Sequence, residues 1–558
     1  MVRKFFDFLN KESSSLNQAA LLLGFFSLLS QVLAFLRDRL LAHVFGAGSE
    51  LDIYYAAFRI PDFLFVTVAS VVSLSVLIPF IIEREREGTE SLREFIDSVF
   101  SFFLLVMTLS AVLAYCFMPQ ISGFIFKGLS EQALAEVVSL SRLLLISPIV
   151  LGISNLFGSL TQAYNRFTTY AISPILYNTG IILGIILWGE RVGVRGVAWG
   201  VIMGALLHAL IQVPFIYKEG LLPRFAKSFN LPLIRKIVQI SLPRTLTLSM
   251  SSIALVALIS LASLMKEGSI SILSFSFGLQ SMPLALIGVS YSLAAFPILT
   301  RRFQEKNFPA FLEQMQNTTR FIIFWSLPLT ALLVVLRAQI VRTLLGTGLF
   351  DWPATRLTAA CLALFALSSV FQSLILLFMR GFYSAGFTKR PFYINLFSTA
   401  ILLGSAYTLV QVFNSSEVFR FFVVSLMKVE DVPGSAVLML SLGFSIGTIV
   451  NCALLWLDFE REFPGFSRGV MRSLFDGVGV AIIMGATAYV GLNFFHTVFD
   501  INTLLGIFLQ GFMAGIVAIV AGILLLVALR SRELASVWSV LRGRAWKAKV
   551  IATDPEIV

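Results

Sequence analysis

The chain has 558 residues, of which 57% are hydrophobic and only 13% charged, and its mean hydropathy is +0.88. These values exclude an ordinary soluble globular fold and identify an integral membrane protein. The 42 basic residues outnumber 31 acidic ones, for a net charge of +11. They sit mostly between apolar spans, so anionic membrane lipids are the expected counter-charge. No basic patch interleaved with aromatics stands outside the spans, which argues against nucleic acid as a partner.

In chain order, residues 1–18 mix charge with aromatics and lack both the apolar core and the small-residue cleavage site of a signal peptide, so they read as a cytoplasmic segment. Apolar stretches of about 20 residues suffice to cross about 30 Å of hydrocarbon as helices. They fall near 19–43, 53–82, 95–118, 138–161, 168–188, 193–217, 233–263, 269–299, 317–345, 356–385, 391–413, 434–457, 471–496 and 502–529. The expected organisation is a six-span lobe over 19–217, a cytoplasmic linker over 218–232 and a second six-span lobe over 233–457. Two further spans follow over 471–529, then a basic cytoplasmic tail over 530–558.

With the N-terminus inside, about 26 basic residues fall on the cytoplasmic side and about nine on the other, a bias that places both termini in the cytoplasm. The tail carries Trp538 and Trp546 among arginines and lysines, the pattern of an interfacial helix on anionic lipid, although a plain cytosolic tail fits as well. Cys116, Cys361 and Cys452 lie in apolar runs without C-x-x-C spacing and read as small buried hydrophobes.

An internal repeat supports the two lobes. The text Q-A-Y-N-R-F-T-T-Y-A-I-S-P-I-L-Y-N from Gln162 is echoed by G-F-Y-S-A-G-F-T-K-R-P-F-Y-I-N from Gly381, and the pairs Pro174 and Pro391, Asn178 and Asn395, and Pro79 and Pro297 keep a near-constant separation. An even number of spans per repeat keeps both halves in one orientation, an arrangement suited to alternating access. The fold class expected is therefore an all-α integral membrane protein of about 14 transmembrane helices, two pseudo-repeated six-helix lobes plus two C-terminal helices.

No catalytic constellation stands out. His43, His208 and His496 are scattered without metal-ligand spacing, and neither a phosphate-binding G-x-x-x-x-G-K-S/T nor a G-x-S-x-G is present. No enzyme activity, cofactor or metal is expected. What stands out instead is the charge within spans. Arg37, Asp38, Arg39, Asp52 and Arg59 lie in or beside the first two, with Arg142 and Arg244 further on. Charges at membrane depth are costly and by default functional. Guanidinium forks match phosphate oxygens, so a cavity lined by them suits a phosphorylated head group. The competing reading pairs Asp38 and Asp52 with these arginines, or lets Arg39 and Arg59 reach the interface. Arg39 fits that second reading and Arg37 with Asp38 the first.

The pattern R-D-x-x-x-A-x-x-F-G-A-G-x-x-x-D, from Arg37 to Asp52, followed by A-F-R-I-P-D from Ala57 to Asp62, closely resembles the MurJ/MviN family of lipid II flippases in the multidrug/oligosaccharidyl-lipid/polysaccharide exporter superfamily. The resemblance implies two lobes around a cationic cavity, a lipid-facing groove made by the last two helices, and transfer of a polyprenyl-diphosphate-linked peptidoglycan precursor from the cytoplasmic leaflet of the inner membrane to the outer one. It carries substrate binding to Arg37, Asp38 and Asp52, beside which Arg59 and Arg244 are further candidates. It also names the cell-wall synthesis machinery as a partner.

The chain departs from the family where cations are usual. Gln31 replaces an arginine, Phe65 and Val66 stand for a basic pair, Ser70 replaces an acid, and Gly278 falls in the eighth span where the family has charges. Arg244 or Arg142 is the expected compensation. Three alternatives follow from these losses: a flippase for another polyprenyl-linked oligosaccharide, a small-molecule antiporter, or a non-transporting cell-wall scaffold.

Overall fold

The computed structural model describes residues 16–69, 74–226 and 230–541. Its principal helices are α1 (Leu16–Phe45), α2 (Ser49–Val68), α3 (Leu74–Glu87), α4 (Thr89–Ile125), α5 (Glu131–Leu144), α6 (Ile146–Ala163), α7 (Phe167–Gly184), α8 (Val194–Leu210), α9 (Leu231–Ser263), α10 (Ser269–Pro283) and α11 (Ser290–Gln304). The series continues with α12 (Phe308–Val335), α13 (Arg337–Leu344), α14 (Trp352–Ala366), α15 (Ser369–Ser384), α16 (Lys389–Ser415), α17 (Glu417–Met427), α18 (Leu438–Glu462), α19 (Phe466–His496), α20 (Leu504–Ala528) and α21 (Arg532–Leu541). No strand occurs among the described residues.

Among the described residues, ten helical stretches are long and apolar enough to span a membrane, and the pair α14 and α15, bent by 41°, brings the number to 11. The other expected spans fall on α1, on α2 with α3, and on α9, which is consistent with about 14. The chain is a multi-pass membrane protein.

Several expected spans are interrupted, each for a physical reason. The ninth ends at Val335 rather than 345, because the Arg337 side chain donates to the Val334 carbonyl at 2.9 Å and satisfies the end of α12. The tenth bends where the Ser368 hydroxyl turns back to the Phe365 carbonyl at 2.7 Å. The eighth passes through a π-helical segment, Leu284–Val289. Helix α17, absent from the sequence reading, starts at a Ser416 cap and leaves Val418, Phe421 and Phe422 exposed.

The helices pack as two compact units. One comprises residues through Phe277 with Leu344–Cys361 and Phe392–Gly447; the other comprises Gly278–Thr343, Leu362–Pro391 and Thr448–Val558. In the first, α3, α4 and α6 enclose a core of Leu77, Phe80, Phe95, Phe103, Met107 and Phe157. Helices α7 and α8 meet through glycines four apart. A Cβ on Gly180 would lie 2.3 Å from the Gly204 Cα, and one on Gly184 2.6 Å from that of Gly200, a small-residue seam that lets two backbones touch in lipid.

In the second unit, Phe311, Phe378, Phe382, Trp456, Phe459 and Phe466 interlock edge-to-face or tilted. Lipid tails are as apolar as these rings, so the rings stabilise by close packing more than by leaving water. Helices α12, α19, α20 and α21 of this unit frame an apolar groove of about 770 Å³ that includes Trp325, Met484, Ile523, Leu534 and Trp538. Helix α21 is tied to α19 by a Ser473 hydroxyl donating to Glu533 at 2.6 Å. Residues 542–558, with Trp546, lie outside the described residues.

Candidate functional site

The charges of the first two spans separate into a clamp and a cluster, both within the first unit. The clamp lies at the turn after α1. Gly46 adopts φ +64°, and a Cβ there would sit 2.6 Å from the Leu349 carbonyl oxygen. The Leu349 amide donates back to the His43 carbonyl at 3.0 Å, and His43 Nδ1 shares a hydrogen bond with the Thr347 hydroxyl at 2.9 Å. Gly268, at φ +89°, approaches the same turn from the start of α10; a Cβ on it would be 2.3 Å from the Ala47 oxygen. Only glycine combines those torsions with that proximity.

Asp52, 4% exposed, closes the clamp. One carboxylate oxygen accepts the Gly268 amide at 2.7 Å, and the other accepts the Ser271 amide at 2.7 Å and its hydroxyl at 2.5 Å. An anion at the otherwise unsatisfied N-terminal amides of a helix is favoured by both hydrogen bonding and the helix dipole. The F-G-A-G-x-x-x-D part of the motif thus joins α1 and α2 to α10.

The cluster begins with Arg37 on α1. Its Nε and Nη2 donate to one Asp38 oxygen at 2.9 and 2.7 Å, and its Nη1 donates to Asn178 Oδ1 on α7 at 3.0 Å. Asn178 is itself held, its amide donating to the Pro174 carbonyl at 3.1 Å and the Ser30 hydroxyl at 3.3 Å. The guanidinium is therefore fixed from two sides. Its side chain is nonetheless 26% exposed, and that of Asp38 22%, so the pair is partly uncovered within α1.

Helix α2 supplies the rest. Pro61 lacks an N–H, which leaves the Ala57 carbonyl without its usual helical donor, and the Ser141 hydroxyl of α5 takes that place at 3.0 Å. On either side of the proline stand Arg59 and Asp62. Among the described residues, Arg59 makes one long hydrogen bond, Nη2 to the Ser274 hydroxyl at 3.4 Å, and its buried Nε has no partner. Asp62 is exposed. Tyr54 and Tyr55 stand on α2 with Arg59 and Asp62, and Tyr177 precedes Asn178 on α7. The Arg37–Asn178 bond joins α1 to α7.

Of the residues expected from sequence, Arg37 and Asp38 are bonded to each other, Arg59 reaches Ser274 on α10, and Asp52 is engaged at the start of α10. Arg244 falls on α9, and its side chain lies outside the described residues, as does Ser70. Arg142 is occupied elsewhere: its Nε donates to the Tyr115 carbonyl at 3.0 Å and its guanidinium covers the Tyr115 ring. Arg39 donates to the Leu344 carbonyl at 3.3 Å, and Phe65 packs on the apolar core. Asn178, Asp62, Tyr54 and Tyr177 were missed as site residues. Asn178 had been noticed only as a marker of the repeat; its spacing of four from Pro174, one helical turn, was the available signal. Among the described residues, no three metal-ligating side chains converge.

Comparison with known proteins places this arrangement. Residues 41–510 match the family model described as lipid II flippase MurJ. The chain is 24% identical over 491 residues to the lipid II flippase MurJ of Burkholderia cenocepacia, covering 86% of this chain and 91% of that protein. Among solved structures, it superposes on the inward closed conformation of lipid II flippase MurJ with a TM-score of 0.72 at 21% identity, over 92% of this chain and all of that one. An inward-facing multidrug resistance MATE family transporter of the MOP superfamily follows with a TM-score of 0.62 at 15% identity, over 78% of this chain and 96% of that one.

Proposed function

The chain belongs to the MurJ family of lipid II flippases, and on that premise we propose that it moves lipid II, a polyprenyl-diphosphate-linked peptidoglycan precursor, across the inner membrane. The observation that carries this reading is a pair of arginines on the first two helices, Arg37 and Arg59, one pre-oriented and partly exposed, the other with a buried donor unsatisfied. A diphosphate offers several acceptor oxygens to such forks, and each charge-assisted bond contributes about 1.5–3 kcal/mol. Asp38 orients Arg37, and Arg244 on α9 adds a third cation. Asp52 acts on the substrate only indirectly, by holding α2.

Transport proceeds by alternating access of the lobes 19–217 and 233–457, with both termini cytoplasmic and without ATP. The polyprenyl tail follows the apolar groove beside α20, whose volume and apolar lining suit a hydrocarbon chain. The basic tail after α20 rests on anionic lipid, and the cell-wall synthesis machinery receives the product. One set of observations favours a second reading: Phe65 is absorbed in the apolar core, and Gln31 and Gly278 leave further cation positions empty, as a scaffold that no longer transports would allow.

Complementation of a bacterium depleted of its lipid II flippase separates the two. Transport predicts rescue by the wild-type chain and its loss with Arg37→Ala, whose protein level is checked by immunoblot. Rescue that survives Arg37→Ala counts against phosphate binding, and failure of the wild type to rescue supports the scaffold.

A further inference from the structure

Asp62 has no role in anything described so far. It lies three residues after Arg59, on the adjacent turn and the same side of α2, immediately after the proline whose freed carbonyl is taken by Ser141. It is exposed on a helix that falls in the second expected span, and among the described residues its carboxylate accepts no hydrogen bond. A carboxylate at that depth without a partner is costly unless water or a ligand reaches it. Arg59 stands three residues before it and Tyr54 eight residues before it on the same helix. The phenol is uncharged, so Arg59 is its local counter-charge.

We propose that Asp62 is an internal counter-anion that competes with the substrate's diphosphate for Arg59, and thereby sets how tightly the substrate is held and how readily it leaves. This rests on the flippase reading and deepens it. Two cations, Arg37 and Arg59, face two carboxylates, Asp38 and Asp62, so the described cluster is neutral before substrate arrives. Asp38 is bonded to Arg37 in a way that aims the guanidinium. Asp62 donates no such order to Arg59, whose one contact is to Ser274.

A lipid diphosphate diester carries two negative charges, and full engagement of Arg59 requires Asp62 to yield it. The exchange keeps the arginine compensated in both states: by Asp62 when the site is empty, by phosphate when it is filled. A carrier needs such balance, because an uncompensated cation holds its anion too firmly to release it on the far side. In a site of reduced polarity, one unit charge at close range is not screened as it is in water.

The test measures equilibrium binding of lipid II to the purified full-length protein in nanodiscs of neutral lipid, for wild type, Asp62→Asn, Asp62→Glu and Arg59→Gln, together with the Arg59→Gln/Asp62→Asn double variant. Removing the competing charge tightens binding by at least about fivefold and slows appearance of the head group on the far side of proteoliposomes. Asp62→Glu keeps wild-type affinity, and Asp62→Asn has no effect when Arg59 is already Gln, as coupling between the two requires. Equal or weaker binding by Asp62→Asn overturns the counter-anion role while leaving the substrate class in place. Failure of every variant and the wild type to bind lipid II overturns both.

Discussion

Asp52 and Arg59 stand two turns apart on one helix, and the structure treats their charges in opposite ways. Asp52 is sealed and receives three hydrogen bonds from the start of α10; Arg59 has five donors and uses one, at 3.4 Å. Both carry a charge inside a membrane protein, and depth alone would rank them alike. The number of partners distinguishes them. A fully satisfied buried charge fastens the fold, whereas an under-satisfied one is available to a ligand.

The comparison can be broken first at the clamp, where the largest effect on folding is expected. Asp52→Ala leaves the Gly268 and Ser271 amides buried without acceptors, each at a cost of about 1–3 kcal/mol. The expected outcome is a clear fall in the thermal unfolding midpoint in detergent, with Asp52→Asn, which keeps one acceptor oxygen, intermediate. An unchanged midpoint in Asp52→Ala would show that α10 does not depend on this carboxylate.

A smaller effect sharpens the other side. Asn178→Ala removes the bond that holds Arg37 against α7, worth about 1.5–3 kcal/mol for a hydrogen bond to a charged group. Lipid II flipping should fall several-fold while the unfolding midpoint drops less than in Asp52→Ala, because only one bond to a charged group is lost rather than three. A drop in stability without a drop in transport would make Asn178 part of the clamp's class.

Much of this organisation is legible in the amino-acid order. The apolar spans are periodic and long, and their positions coincide with helices because a bilayer admits few alternatives. The R-D pair is readable because charge at membrane depth is rare. Local interruptions were less so: the end of α12 depends on the Arg337 side chain folding back on Val334, and α17 is too short and too amphipathic to register as a span.

The role of Asp52 was not legible, since its donors at Gly268 and Ser271 are more than 200 residues away and nothing local distinguishes a clamp from a ligand. Asp62 was in plain view inside the motif. Its significance appears only once Arg59 is seen to make one long hydrogen bond among the described residues, and that is a property of packing.

The central claim is that Arg59 is held for a ligand and Asp52 for the fold, and the most direct measurement is the pair Arg59→Gln and Asp52→Asn compared for thermal unfolding and for lipid II flipping in the same proteoliposomes. The account predicts that Arg59→Gln keeps the wild-type midpoint and loses most flipping, while Asp52→Asn lowers the midpoint. Arg59→Gln that unfolds as readily as Asp52→Asn, or that flips lipid II at the wild-type rate, contradicts it.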